Sequence, residues 1–195
     1  MAWDTEGTKR RILETAVTEF ARLGPDGTTV ERIAKSAAVN KERVYNYYGN
    51  KQMLFAAVLR NELAKAALAV PVELFVGEDI GEYAGRVYDY HCEHPELSRL
   101  MSWEGLVFDG KVPDEDLRRQ YYGYKVQAFA DAQHRGTITR AFDASHLAFL
   151  VLALAGWWSA VPQVARMFTD PDDSNENAKR RTSVVEAARR LMTVP

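Results

Sequence analysis

The sequence predicts an all-α fold with about nine helices. Apolar residues recur at helical spacing along most of the 195 residues, and no stretch alternates as a β-strand does. Glycine, proline and capping residues separate the periodic segments. With 47% hydrophobic and 27% charged residues, the composition is that of a folded globular chain, so we expect these helices to pack together.

Two helices are predicted in the first part of the chain. The first covers residues 8–23 and ends at Gly24-Pro25, because glycine can take a left-handed cap and proline cannot continue the helix. The second opens at Thr28-Thr29, where Thr28 and Glu31 have the spacing of a capping box. Its apolar face consists of Val30, Ile33, Ala34 and Ala37.

A turn at Ala38-Val39 leads to the third and fourth helices. Asn40 is a favourable N-cap for the third helix. Gly49-Asn50 ends that helix, and the fourth covers residues 51–69. The side chains of the third helix that we expect to pack inward are Val44, Tyr45 and Tyr48.

The rest of the chain predicts five more helices, with breaks at prolines, at glycines and in a polar loop over residues 170–175. They cover residues 79–93, 96–108, 114–135, 144–168 and 177–192. Asp143 is the expected N-cap of the helix at 144–168, which is apolar almost all round. This is more apolar surface than the core of one chain should need.

Composition also indicates the cellular compartment in which we expect the protein. The longest apolar run, residues 147–161, is shorter than the ~18 residues of a membrane span. No N-terminal segment has the pattern of a secretory signal, and Cys92 is the single cysteine, which excludes an internal disulfide. We therefore expect a soluble, cytoplasmic protein that does not enter a membrane.

Positive charge is concentrated near the N-terminus. The whole chain has a net charge of −2, which argues against indiscriminate coating of nucleic acid. Residues 1–55 contain nine Lys/Arg and seven Asp/Glu, whereas the remainder contains 16 and 20. This modest basic excess lies on the segment with the most specific pattern.

That segment, residues 28–51, has the layout of a helix-turn-helix, whose second helix enters the DNA major groove. Arg43 can pair with guanine, Asn40 or Asn46 with adenine, and Glu42 with cytosine. Tyr47, Lys51 and either Thr28 or Thr29 are placed to hold phosphates. On spacing alone, a surface hairpin with solvated charges is the stronger interpretation.

A family resemblance makes DNA binding the stronger interpretation. Residues 9–55 closely resemble the N-terminal DNA-binding domain of TetR-family transcriptional repressors. The matching residues are Ile12, Leu13, Ala16, Phe20, Gly24, Thr28, Thr29, Ile33, Ala34, Ala37, Val39, Val44, Tyr45, Tyr47, Tyr48, Lys51 and Leu54. The resemblance implies phosphate contacts by Tyr45, Tyr47 and Lys51, and base contacts by Asn40, Lys41, Glu42 and Arg43.

The chain departs from the family pattern at two places. Ala38 stands where glycine is usual, so it must accept a strained turn, and Glu42-Arg43 replaces a pair of small residues. The resemblance further implies a DNA-binding domain at residues 1–52 and a helical effector-binding and dimerisation domain at 53–195. The expected assembly is a homodimer formed by the last two helices on a palindromic operator.

The resemblance also implies a pocket for a small, largely hydrophobic effector that releases the repressor from DNA. Aromatic residues crowd the second domain, and most of them are expected in its core. Polar anchors are available at His91, Lys125 and His146. The residues that we select as effector contacts are Trp103, Tyr121, Phe129, Phe149 and Trp157.

Two alternatives stay open. The first is a dimeric DNA-binding regulator that responds to no ligand. The second is a small helical metal-dependent enzyme that uses His91, His94 and neighbouring carboxylates. It carries less weight because a full ligand set is not evident, and His94 before Pro95 is better placed to end a helix. We therefore expect no catalytic residue, no metal and no cofactor.

Overall fold

The computed structural model describes residues 4–72, 79–110, 112–170 and 172–194, and these form ten α-helices without a β-strand. The all-α prediction is confirmed. The helices are α1 Thr5–Gly27, α2 Val30–Ser36, α3 Lys41–Tyr48, α4 Lys51–Ala69, α5 Glu82–Glu93, α6 Pro95–Val107, α7 Glu115–His134, α8 Ala144–Ala160, α9 Pro162–Phe168 and α10 Glu176–Met192.

The chain divides into two compact units. The first consists of Met1–Lys65 with Glu96–Glu115, and the second of Ala66–Pro95 with Asp116–Pro195. α4 and α6 belong largely to the first unit, where Phe55 stacks on Phe108 with ring centroids 6.2 Å apart. The boundary predicted between residues 52 and 53 separates a DNA-binding domain from an effector-binding domain. Its position stays a prediction.

A kink at Gly24 shapes the end of α1. Gly24 has φ 70° and ψ 170°, a conformation open essentially to glycine alone, and the chain resumes its helix at Pro25. This confirms the break expected at Gly24-Pro25. The indole of Trp103 packs directly on this glycine, so a Cβ there would lie 2.8 Å from the ring. Gly24 thus serves both the kink and the contact with α6.

The core of the first unit lies among α1, α2, α3 and α4. Phe20 and Phe55 meet edge to face with centroids 5.2 Å apart, which is a favoured aromatic geometry. Arg60 forms an ion pair with Asp114 in the same unit. The other large apolar side chains fully buried in this unit are Ile12, Ile33, Leu54, Leu59 and Leu100.

In the second unit, α5 packs against α8 and α10. Close approach of α5 and α10 requires Gly85, where a Cβ would lie 2.7 Å from the Val185 side chain. Arg181 of α10 binds two carboxylates of α5, Asp89 at 2.8 Å and Glu82 at 2.9 Å. These contacts fix the register of the two helices.

The prediction of one helix over residues 144–168 is wrong. The chain forms α8 and α9 instead, bent by 88° at Val161, because Pro162 lacks the N–H group that a continuing helix needs. Asp143 occupies the predicted N-cap position of α8, but its side chain forms no capping hydrogen bond. The prediction at 79–93 is corrected to a start at Glu82, and the residues at 73–78 lie outside the described ones.

No single helix in the described ranges is long and apolar enough to cross a membrane. The one pair that passes on length and composition is α8 with α9, across their sharp bend.

Gly24→Ala should destabilise the protein by about 2 kcal/mol or more, because the new Cβ meets both the strained backbone and the Trp103 ring. Urea unfolding measures the change. Gly105→Ala is the matched control, since a Cβ on that α6 glycine has open space and should stabilise by up to about 1 kcal/mol. Equal stabilities of the two variants would contradict the assigned kink.

Candidate nucleic-acid interface

A tight turn joins α2 to α3. Ala37 ends α2 and its N–H donates to the Ile33 carbonyl, while the Val39 N–H donates to the Ala34 carbonyl at 3.0 Å. Ala38 between them has φ 53°, which confirms the strained left-handed conformation expected of a residue that replaces glycine. The closed turn sets the angle between the two helices.

Both short helices begin with a side-chain cap. The Asn40 side chain accepts the Glu42 N–H at 3.1 Å, which confirms the predicted cap of α3. On α2 the cap is Thr29, whose hydroxyl accepts the Arg32 N–H at 3.2 Å. The expected capping box of Thr28 with Glu31 is therefore wrong, because Thr28 precedes the cap.

Thr28 contributes to an internal ion cluster instead. Its side chain is 2% exposed, and its hydroxyl donates to the Glu19 carboxylate at 3.2 Å. Arg32 binds the same carboxylate at 2.6 Å. The cluster ties α1 to the start of α2. This placement argues against a phosphate contact by the Thr28 side chain, although Thr29 is exposed.

The outer surface of α3 carries most of the predicted base-contacting residues. Val44 anchors the helix in the core, while Lys41, Glu42 and Asn46 are exposed and Arg43 is half-buried. Lys41 is 3.7 Å from Glu31. These polar side chains therefore lie together on one helix, which the buried Val44 side chain holds against the core.

The inward packing predicted for Tyr45 is wrong. Tyr45 is 42% exposed because it lies about 100° round the helix from the buried Val44. An exposed phenol remains compatible with the phosphate contact that was expected of it. Tyr48, by contrast, is half-buried as expected.

The contribution of α1 to this surface was not predicted from the sequence. The Tyr48 hydroxyl donates to the Lys9 carbonyl at 3.2 Å, and burial raises the pKa of Tyr48. The Lys9 ammonium lies 5.7 Å from the centre of the Tyr47 ring. Lys9, which also pairs with Glu6 at 3.0 Å, thus places its ammonium beside α3. No local signal could reveal a contact between residues so far apart in sequence.

Lys51 lies where α4 meets the start of α2. It is the first residue of α4, and its ammonium donates to the Thr28 carbonyl at 3.4 Å and lies 3.7 Å from Asp26. Its charge is therefore held beside the start of α2. Lys9 thus lies beside α3 and Lys51 beside the start of α2, and cations next to an exposed polar helix are typical of a DNA-binding helix-turn-helix protein.

Comparison with known proteins gives the family. Residues 12–58 match the family model described as bacterial regulatory proteins, tetR family, and residues 79–190 match the tetracyclin repressor-like C-terminal domain. The chain belongs to the TetR family of helix-turn-helix transcriptional regulators, as the resemblance indicated. Among its relatives is the transcriptional repressor SCO4008 of Streptomyces coelicolor, 44% identical over 98% of both chains.

Other relatives agree with this assignment. The transcriptional regulator RutR of Escherichia coli O157:H7 is 31% identical over 74% of this chain and 70% of its own. The crystal structure of the regulator SCO4942 from Streptomyces coelicolor matches with a TM-score of 0.81 and 30% identity, over 96% of this chain and 99% of the other. AibR, solved with isovaleryl coenzyme A and operator DNA, shares the fold at 19% identity, with a TM-score of 0.65 over 92% and 97% of the chains.

The five predicted effector contacts occupy different environments. Trp103 lies in the first unit against Gly24. In the second unit, Phe129 is buried with its ring edge-on to Tyr83. The remaining three are exposed: Tyr121 by 50%, Phe149 by 72% and Trp157 by 64%. Their role in ligand binding stays a prediction.

The histidines of α5 have packing roles. His94 ends α5, as predicted, and its ring lies 4.2 Å from that of Tyr90. His91 faces Gly156 of α8, and burial lowers the pKa of His91. Within the described ranges, no group of three or more His, Cys, Asp or Glu residues is arranged to hold a metal ion. The relatives named above are transcription regulators.

Ala38→Gly should stabilise the protein by about 0.5–1 kcal/mol, because glycine adopts the left-handed turn without the steric cost that alanine has. Thermal or urea unfolding measures the change. Ala37→Gly is the matched control: Ala37 has φ −78° and is buried, so its replacement should destabilise by a similar amount. Destabilisation by Ala38→Gly would disprove the strained turn.

Proposed function

We propose that the protein is a homodimeric repressor that inserts α3 of each subunit into the major groove of a palindromic operator. The observation that carries this proposal is the capped, core-anchored α3, which exposes a polar face and has the Lys9 ammonium beside its Tyr47. The name of the 44% identical relative SCO4008, a transcriptional repressor, supports it. DNA as the partner is consistent with a cytoplasmic location.

We assign base recognition to the N-terminal half of α3. Arg43 pairs with guanine, Asn40 or Asn46 with adenine, and Glu42 accepts a hydrogen bond from cytosine. The ion pair of Lys41 with Glu31 is exposed at 3.7 Å. Such pairs contribute only about 0–1 kcal/mol, so a DNA phosphate can draw Lys41 away at small cost.

Phosphate contacts are assigned to the residues round this face. Tyr45, Tyr47 and Lys51 act from α3 and the start of α4, and Thr29 acts from the N-terminus of α2. Thr28 is removed from the set because its hydroxyl is already bound to Glu19. Lys9 is added because its ammonium lies over the Tyr47 ring.

Dimerisation is assigned to the last two long helices, α8 and α10. α8 exposes Phe149, Leu150 and Trp157, which share one side of the helix within an arc of about 100°. A contiguous apolar surface of this kind marks a protein interface. A two-fold pair of subunits presents two α3 helices to two half-sites, which explains why the operator is expected to be palindromic.

Control is assigned to a small, largely hydrophobic effector that binds the second unit. AibR, which has the same fold, was solved with both isovaleryl coenzyme A and operator DNA. An effector releases the repressor only if it binds the DNA-incompetent conformation more tightly than the competent one. A thermal-shift screen with hydrophobic compounds separates this mechanism from a regulator that responds to no ligand.

Arg43→Ala and Lys51→Ala should weaken DNA binding in different ways. Loss of Arg43 should cost about 1–3 kcal/mol and relax the preference at one base pair, because a bidentate contact is lost. Loss of Lys51 should weaken all duplexes alike and lower the slope of log K against log salt by about 1. Duplexes selected from a random pool, followed by titration at several salt concentrations, provide the measurement.

Arg99→Ala is the control for both variants. Arg99 is an exposed cation on α6 in the same unit, outside the proposed surface. Its removal lowers the net charge equally but should leave specificity unchanged. If Arg43→Ala and Lys51→Ala bound the selected operator like the parent, the assigned docking face would be rejected.

The protein should sediment as a dimer at micromolar concentration, and the double variant Phe149→Glu, Trp157→Glu should sediment as a monomer. Two carboxylates in an apolar interface lose their hydration without gaining a partner. Leu106→Glu is the control because Leu106 is 77% exposed on α6, outside the proposed interface. A monomeric parent, or a dimeric double variant, would show that α8 does not form the interface.

A further inference from the structure

The second unit holds a buried arginine nitrogen that lacks an acceptor. Among the residues that the structure describes, Nη2 of Arg86 is enclosed and has no hydrogen-bond partner. Buried polar atoms are satisfied in the large majority of cases, and a guanidinium group can only donate. The place beside Arg86 is therefore one where an external acceptor is expected.

The usual intramolecular partners of Arg86 are already engaged. Glu82 and Asp89 lie four residues before it and three after it on α5, the spacings at which helix side chains meet. Both carboxylates bind Arg181 of α10, at 2.9 Å and 2.8 Å. Both carboxylates that α5 places within reach of Arg86 thus bind Arg181, and neither accepts from the enclosed nitrogen.

A second cation lies close to the same face of α5. The Lys125 ammonium of α7 is 3.4 Å from the Tyr83 hydroxyl and 5.9 Å from the centre of its ring. Tyr83 is one helical turn before Arg86. Burial lowers the pKa of Lys125, which reflects the cost of holding an ammonium group away from water.

Tyr83 does not balance these charges. Burial raises the pKa of Tyr83, and the charge of Arg86 opposes this only in part, so the phenol is neutral near pH 7. Its oxygen accepts from Lys125, and its own proton remains available to a ligand. The neighbouring side chains are apolar, since Val87 is buried on α5 and the Phe129 ring lies 6.2 Å from that of Tyr83.

We propose that Tyr83, Arg86 and Lys125 bind the anionic group of an organic acid whose apolar body packs against Phe129. Arg86 and Lys125 both lie beside Tyr83, the first through its charge and the second through a hydrogen bond, and a carboxylate placed there compensates both. Because this compound is the effector of the proposed function, the assignment narrows that effector from largely hydrophobic to hydrophobic and acidic.

The test compares organic acids with their uncharged counterparts. Octanoate, benzoate and 1-naphthoate are titrated into the full-length protein by calorimetry, each beside its primary amide. At least one acid should bind about tenfold or more tightly than its amide, because charge-assisted hydrogen bonds are about twice as strong as neutral ones. Equal affinity within all three pairs would overturn the proposal.

Variants locate the site. Arg86→Met and Lys125→Met should each lower the affinity for the acid about tenfold or more, as loss of a charge-assisted bond predicts, and leave the affinity for the amide unchanged. Arg86→Gln, which keeps donors but removes the charge, replaces Arg86→Met if the latter does not fold. Lys179→Met is the control because Lys179 is exposed and pairs with Asp173 on the surface. Acid binding that all of these variants retain would place the anion elsewhere.

A DNA measurement separates this site from the proposed function on which it rests. The same acids and amides are added to the protein bound to its selected operator duplex. If an acid binds through Arg86 and Lys125 without changing operator affinity, the anion site stands and effector-controlled release is rejected. If amides release the operator as well as acids do, release stands and the anion site is rejected.

Discussion

The two helices that form the DNA-binding surface are too short to be stable alone, so their placement depends on α1. α2 has seven residues and α3 has eight, whereas isolated helices shorter than about 12 residues are marginal in water. α1 supplies Glu19 to the start of α2 and the Lys9 carbonyl to Tyr48 of α3. Because α1 makes both attachments, α2 and α3 keep a fixed orientation relative to each other. A protein that inserts a helix into a groove of set width needs this orientation.

The first unit contains two kinds of ion pair, which differ in burial. The Glu19 carboxylate is largely buried; it accepts from the Thr28 hydroxyl and binds Arg32 at 2.6 Å. The pairs of Lys41 with Glu31 and of Lys51 with Asp26 are more exposed and 3.7 Å long. Exposed pairs of this kind are weak and easily exchanged. The Glu19 cluster therefore ties α1 to α2, while the pairs of Lys41 and Lys51 contribute little to stability and leave these cations available for the phosphate contacts that we propose.

Local signals predicted the first unit well because its elements end at residues with special backbone needs. Gly24, Asn40 and the limits of α4 are where the sequence placed them. Contacts between distant residues, such as Thr28 with Glu19, leave no mark in a local pattern, and this is why the capping box was assigned to the wrong threonine. The break at Pro162 was visible in the sequence, but the continuous apolar run outweighed it. The side on which Tyr45 lies depends on how α3 is rotated against the core, which periodicity over eight residues does not determine.

Arg86 differs from the ion-pairing residues described above in how its charge is compensated. Glu19 is bound by Thr28 and Arg32, and Arg181 by two carboxylates, so each of these charges is fully compensated in the free protein. Arg86 is different, since its enclosed nitrogen has no acceptor and its natural partners on α5 serve Arg181. A buried donor without an acceptor departs locally from the rules that stabilise a folded chain, and such departures are expected where a ligand binds. In the proposed anion site, the cost of the enclosed cation would be offset when an anion binds, and the affinity for the anion would depend on the conformation that encloses Arg86.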